Sequence, residues 1–141
     1  ARVGPTGGAA FTALVVAGDG TLYAGNGTSV FKSTDSAGSI GNWTELYDFG
    51  GILAVVELQV VGGVRAGGGD SQIVRAVVDD PTPGTSQVWL SFDGGQNWEQ
   101  VTEIVNDGYN AAYFSEIDNN KAIIVGDNDG SFAAIHQLEP L

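Results

Sequence analysis

One stretch, at residues 88–98, constrains the fold of this chain more than any other. It reads VWLSFDGGQNW, an apolar run that ends in a glycine-bearing turn and restarts at a tryptophan. Asp93 is expected to accept hydrogen bonds from backbone amides two or three residues on, and Ser91 to do so more weakly. Gly95 can adopt a positive φ, and Trp98 can pack under the turn with its indole N–H on a carbonyl. The stretch therefore predicts a strand, a tight turn and a second strand.

A second copy of this pattern lies upstream. Residues 30–35 read VFKSTD and match VWLSFD at 88–93, while NWTEL at 42–46 matches NWEQV at 97–101. The copy has three extra residues in its turn, which leaves its glycine as either Gly38 or Gly41. The two copies predict a repeated unit of four strands.

The pattern of Ser91, Asp93, Gly95 and Trp98 resembles the Asp-box, also called the BNR repeat. The upstream copy contributes Ser33, Asp35 and Trp43. In that family the box joins the third and fourth strands of a β-propeller blade and is structural. The resemblance therefore implies a propeller-type fold and does not report an activity.

The rest of the chain divides into strands and turns with the same plan. Asn26-Gly27 is a strong hairpin signal, and no segment has the 3.6-residue apolar spacing of a helix. Residues 1–10 are glycine-rich and are interpreted as an N-terminal arm, followed by a single domain at 11–141. That domain divides into repeat units 11–49, 52–105 and 109–141.

The third repeat unit is incomplete. Its segment at 123–128 resembles residues 22–27, and its last strand is expected at 131–135, after which no box or fourth strand follows. The prediction is an all-β protein of antiparallel four-stranded meanders of β-propeller type, a little under three blades. A compact β-sandwich or barrel is the alternative. Because propellers close with about four to eight blades, the propeller interpretation needs additional blades from elsewhere.

Composition narrows the classes of partner and chemistry. The chain has 5 basic and 17 acidic residues, a net charge of −12, which disfavours nucleic acid as a partner. It has no cysteine, which removes disulfides and thiolate metal sites. No apolar run is long enough to span a membrane. No signal peptide is visible, so the chain is interpreted as a whole small protein or as a mature chain or fragment.

The residues required for catalysis are not grouped in the sequence. A sialidase-like propeller needs an arginine cluster, and the chain offers only Arg2, Arg65 and Arg75. His136 is the single histidine and has no partner motif for nucleophilic catalysis. The acidic turns at 79–80 and 126–130 have oxygen ligands suitable for Ca²⁺ but lack the spacing of an EF-hand loop. No catalytic, cofactor or metal residue is predicted, with Ca²⁺ left as a minor possibility.

The sequence therefore favours a non-enzymatic structural or binding module. It is expected to form a homo-oligomer or to dock in a larger protein assembly, by burial of open blade faces and strand edges. A virion component or an extracellular filament subunit is the favoured setting, by analogy alone. The alternative is a carbohydrate-binding or glycoside-hydrolase propeller fragment of the sialidase type.

Overall fold

The computed structural model describes residues 10–34, 43–51, 53–61, 73–80, 85–105, 109–114, 123–127 and 135–138. These residues are all-β, and no helix occurs among them. The strands are β1 (Phe11–Val16), β2 (Leu22–Asn26), β3 (Ser29–Ser33), β4 (Thr44–Asp48), β5 (Ala54–Val61), β6 (Ile73–Asp80), β7 (Thr85–Ser91), β8 (Glu99–Val105), β9 (Tyr109–Phe114), β10 (Ile123–Asp127) and β11 (Ile135–Leu138).

The strands form three antiparallel sheets, each a simple meander. Sheet 1 has the order β1-β2-β3-β4, sheet 2 the order β5-β6-β7-β8, and sheet 3 the order β9-β10-β11. The two predicted four-stranded meanders are confirmed. The predicted hairpin at Asn26-Gly27 is also confirmed: Asn26 pairs with Ser29, and Gly27 has a φ of 61°.

Two predicted strand boundaries are wrong. The apolar run at 52–58 predicts that the first strand of the second unit ends at Leu58, but β5 continues to Val61 and pairs with β6 throughout. The last strand was expected at 131–135, and it lies at Ile135–Leu138 instead. Pairing with β10 places it there, because Gly126 pairs with Ile135 and Ile123 with Leu138. Residues 131–134 lie outside the described part of the chain, as do residues 1–9 of the predicted arm at 1–10 and residues 128–130 of the predicted turn at 126–130.

The first strands of the three sheets carry a register shift at the same place. The shift falls between Phe11 and Ala13 in β1 and between Val55 and Glu57 in β5. In sheet 3 the pairing shifts between Gly126 and Asp127, where the partner residue moves from Ala111 to Tyr109. One extra residue in a strand defines a β-bulge, which alters local twist. Phe11, Val55 and Tyr109 therefore hold equivalent positions.

The equivalence continues across sheets 1 and 2. Their third strands have a shift between Val30 and Phe31 in sheet 1, and between Val88 and Trp89 in sheet 2. Leu22 pairs with Ser33 as Val74 pairs with Ser91, so the two serines of the repeated motif are equivalent. In sheet 3 the same position is held by Leu138, which pairs with Ile123. The third unit thus lacks the serine with which the repeated motif begins.

The sheets are stacked in chain order through their first strands. β5 packs against β1 and β2 of sheet 1, and β9 packs against β5 and β6 of sheet 2. We call the side of a sheet that meets the preceding sheet its front face and the opposite side its rear face. The front face of β5 carries Val55, Leu58 and Val60, and the rear face of β1 carries Ala13 and Val15.

The core lies between the rear face of sheet 1 and the front face of sheet 2. Its buried members are Ala17, Tyr23, Val30, Val55, Leu58, Val74, Ala76 and Val78. The two sheets lie close together at Gly25, where an added Cβ would lie 2.7 Å from Cγ1 of Val55. β6 is buried on both faces, since Arg75 and Val77 of its rear face are only 1% and 0% exposed. Sheet 2 is therefore an interior layer of the stack.

Candidate functional site

The turn at residues 91–98 is held together by its own side chains. The Ser91 hydroxyl is buried, donates to Oδ1 of Asp93 at 2.8 Å and accepts from the Gly95 amide at 2.8 Å. The second of these bonds is buried, and the expectation that Ser91 contributes more weakly than Asp93 stays a prediction. Ser91 fixes the base of the turn.

Asp93 closes the outer half of the turn. Its Oδ1 accepts from the Gln96 amide at 3.0 Å and from the Asn97 amide at 2.9 Å, and its Oδ2 accepts from Nδ2 of Asn97 at 2.6 Å. The expected bond to an amide three residues on is confirmed, and a bond four residues on is added. Desolvation opposes ionisation, but the bonds from Asn97, Ser91 and Gln96 outweigh it and lower the pKa of Asp93 to about 2.

Gly95 packs this turn against sheet 1. Its φ is 89° and that of Gly94 is 72°, so the expected positive φ at Gly95 is confirmed. A Cβ on Gly95 would lie 2.6 Å from Cδ1 of Leu46, which belongs to β4. The glycine is therefore required by backbone conformation and also by the neighbouring sheet.

Trp98 joins the turn to an aromatic cluster between the sheets. Its indole Nε1 donates to the Gly95 carbonyl at 2.9 Å, as the sequence predicted. Its ring centroid lies 6.2 Å from that of Tyr47 and 5.5 Å from that of Phe49 in an edge-on arrangement. Trp89 packs on the same two rings, at 6.3 and 5.2 Å. The cluster adds apolar burial and ring contacts to the boundary between sheets 1 and 2.

The upstream copy of the motif is only partly described. Ser33 is buried at 1% exposure, while Asp35 and the rest of that turn, through residue 42, lie outside the described residues. Trp43 is half-buried and packs on Phe11 at the start of β1, with ring centroids 6.1 Å apart. Its Nε1 is buried and has no hydrogen-bond partner among the described residues. Trp43 therefore packs within its own sheet, whereas Trp98 packs on the preceding one.

A row of apolar side chains on the front of β1 is exposed. We call Phe11, Leu14 and Val16 the β1 face; they are 42%, 63% and 61% exposed. The β1 face occupies the register positions of Val55, Leu58 and Val60, since both strands share the same bulge. Val55 and Leu58 are 0% and 4% exposed. Large apolar side chains that cluster at the surface commonly mark an interaction site.

Of the residues considered for catalysis, the structure describes the side chain of Arg75 alone. Arg75 is buried in β6, and Arg2 and Arg65 lie outside the described residues. His136 lies in β11, paired with Val125. Within the described ranges, no three histidine, aspartate or glutamate side chains lie close enough to hold a metal ion. Asp48 has a local structural role, because its pKa is lowered by hydrogen bonds from the Thr28 hydroxyl and the Gly50 amide.

Comparisons with protein-family models, with curated proteins and with solved structures found no match to this chain. The Asp-box resemblance accordingly stays a prediction from the motif residues. Among the described residues, there is no helix of the length and apolar character needed to cross a membrane.

Proposed function

We propose that this chain is a non-enzymatic structural module of β-propeller type that assembles with further β-sheets through its β1 face. The observation that carries the proposal is the exposure of Leu14 and Val16, at 63% and 61%, in positions whose counterparts in β5 are packed against another sheet. The additional sheets come from copies of the chain or from a larger protein partner.

The packing of sheet 2 supports this proposal. Its front face is covered by sheet 1 and its rear face meets β9, so the repeat is built to be covered on both sides. Repeat units of this kind bury their apolar faces only when neighbours stack against them. By that rule the β1 face needs a neighbour.

The turn at residues 91–98 has a structural role in this proposal. Its side chains are engaged with each other and with sheet 1, through Gly95 against Leu46 and Trp98 against Phe49. In this proposal the turn fixes the spacing of sheets 1 and 2. The packing of sheet 2 on the rear of sheet 1 then holds the β1 face in place on the opposite side of sheet 1.

The native mass of two variants measured by light scattering tests the proposal. Leu14→Glu with Val16→Glu places two charges on the β1 face, and an apolar interface cannot bury them unpaired. The matched control, Thr44→Glu with Phe92→Glu, adds the same charge at two other exposed positions. We expect the wild type and the control to form multimers of the 14.5 kDa chain and the β1-face variant to remain a monomer. A wild-type protein that stays monomeric at every concentration and binds no protein through β1 would contradict the proposal.

A further inference from the structure

The two stacking contacts within the chain follow one rule. The first strand of a sheet packs its front face on the first two strands of the sheet before it: β5 on β1 and β2, and β9 on β5 and β6. By this rule, two sheet faces have no neighbour among the described strands. No described strand packs on the front of β1, although Trp43 packs on Phe11 at the start of that strand, and no described strand packs on the side of sheet 3 opposite β5 and β6.

The front of β1 and the rear of sheet 3 carry residues at the register positions through which sheets 1 and 2 pack on each other. Between sheets 1 and 2, Val55 packs on Gly25, which has no side chain to keep β5 away. Phe11 holds the register position of Val55, and Gly126 holds that of Gly25. Sheet 3 therefore has a glycine at the position where sheet 1 receives the following strand. If a further sheet 1 stacked on sheet 3 in the same way, its β1 strand would pack on β9 and β10.

The β1 face is a surface through which two copies can meet without bringing charges of the same sign together. The chain has a net charge of −12, so two copies repel each other over most of their surfaces. β1, with the sequence FTALVV, carries no charged residue, and Leu22 and Ala24, which pair with Val16 and Leu14, are also uncharged. A contact through this surface brings together no like charges from the β1 side and removes exposed apolar area from water.

We propose that the β1 face packs on β9 and β10 of a second copy of this chain. Resting on the proposed function, this inference names the partner and the contact. Two copies joined reciprocally would bring together six sheets, which lies in the range of four to eight over which propellers close. The product is a two-fold dimer in which each copy contributes the front of sheet 1 and the rear of sheet 3.

A symmetric contact of one β1 face with another is the competing arrangement. It would cover both β1 faces but would leave the rear of both third sheets uncovered. The reciprocal arrangement covers the front of sheet 1 and the rear of sheet 3 in both copies, and the geometry favours it for that reason. The two arrangements differ in one testable respect: only the reciprocal one uses sheet 3.

Complementation between two variants distinguishes these arrangements. The first variant is Leu14→Glu with Val16→Glu; the second is Ile124→Glu, at the β10 register position that corresponds to Tyr23 and Arg75 on rear faces. We expect each variant alone to be a monomer and a mixture of the two to form a heterodimer, because the mixture retains one intact pair of surfaces. The heterodimer has one contact in place of two. The protein concentration at which half of the chains are dimeric should therefore be about a hundredfold higher than for the wild type.

Each alternative result overturns the inference in a distinct way. If Ile124→Glu remains a full dimer, the contact does not involve sheet 3, and the proposed function stands while this inference fails. If each variant and their mixture all stay monomeric, an intact β1 face does not bind an intact sheet 3, and the inference fails. A wild type that is itself monomeric overturns this inference, and the proposed function fails with it only if the β1 face also binds no larger protein partner.

A second measurement does not depend on the folding of the Ile124→Glu chain. A tagged Leu14→Glu/Val16→Glu protein still offers an intact sheet 3, so it should capture untagged wild type through the latter's β1 face. Failure to capture wild type, when tagged wild type does so, would indicate a β1-to-β1 contact and overturn the inference.

Discussion

The first strands of sheets 1 and 2 have the same bulge and the same apolar spacing, but they differ in environment. Val55 and Leu58 of β5 are buried at 0% and 4% exposure, whereas Leu14 and Val16 of β1 are 63% and 61% exposed. The difference arises because sheet 1 lies in front of β5 and no described strand lies in front of β1. Sequence pattern alone thus sets which face of a strand is apolar, and the neighbouring sheet decides whether that face is buried.

The largest expected effect comes from placing the same charge at both members of this pair. Leu58→Glu buries an unpaired carboxylate in the core and should lower the free energy of unfolding by about 4 kcal/mol or more. Leu14→Glu, at the equivalent exposed position, should change it by less than about 0.5 kcal/mol in the monomer. Urea unfolding at a protein concentration that gives monomers measures both. Equal destabilisation by the two variants would mean that the two environments are not different.

A second comparison concerns the contact of the 91–98 turn with sheet 1. Gly95→Ala combines a φ of 89° with a Cβ that would lie 2.6 Å from Leu46, and it should cost about 2–4 kcal/mol. Gly20→Ala is the matched control, because Gly20 has a φ of 88° and no atom near its added Cβ. It should cost only about 1 kcal/mol. If thermal unfolding shows the two variants to be equally destabilised, the packing of Gly95 on sheet 1 contributes nothing.

A third prediction concerns pH and isolates the hydrogen bonds of the turn. The pKa of Asp93 is about 2 in the fold against 3.8 in a free chain, so its ionised form stabilises the folded state above pH 3.8. That contribution, about 1–2 kcal/mol after allowance for solvent screening, should be lost as the pH falls from 3.8 towards 2. Asp93→Asn should therefore be less stable than wild type at pH 6 and should approach it near pH 2. Glu99→Gln, at an exposed position, removes the same charge and serves as the control. If the stability difference between Asp93→Asn and wild type does not change between pH 6 and pH 2, the lowered pKa of Asp93 does not stabilise the fold.

The smallest effect is expected at Glu57, whose equivalent in sheet 1 is Ala13. Desolvation raises the pKa of Glu57, so its ionised form is disfavoured in the fold. Because the folded pKa lies above the usual 4.5, the penalty appears as the pH rises above 4.5 and is complete above the folded pKa. Glu57→Gln should therefore increase stability at pH 7 by less than about 1 kcal/mol and have no effect at pH 3. A loss of stability at pH 7 would indicate that the carboxylate makes a favourable contact.

Much of the local structure could be predicted from the sequence, because it depends on residues close together in the chain. The hairpin at Asn26-Gly27 and the turn that uses Ser91, Asp93 and Trp98 each form from local hydrogen bonds. The matching segments at 22–27 and 123–128 were recognised as repeats, and the register of β10 confirms this for the part that is described.

The packing between sheets could not be predicted in the same way. A β-bulge near the start of β1, β5 and β9 leaves no residue signature, so the equivalence of Phe11 and Val55 appears only in the strand register. The role of Gly95 against Leu46 also depends on residues 49 positions apart. The last strand was misplaced because residues 131–135 are as apolar as a strand, and only pairing with β10 selects Ile135–Leu138.

The most direct test of the account measures whether the β1 face is covered in solution. The chain has no cysteine, so Leu14→Cys and Phe92→Cys each introduce a single thiol, at positions that are 63% and 60% exposed in the chain. Maleimide labelling rates of the two variants are then compared over a range of protein concentrations. We predict that labelling of Leu14→Cys slows as the concentration rises, while labelling of Phe92→Cys stays constant. Equal rates for the two variants at every concentration would contradict the claim that the β1 face is an assembly interface.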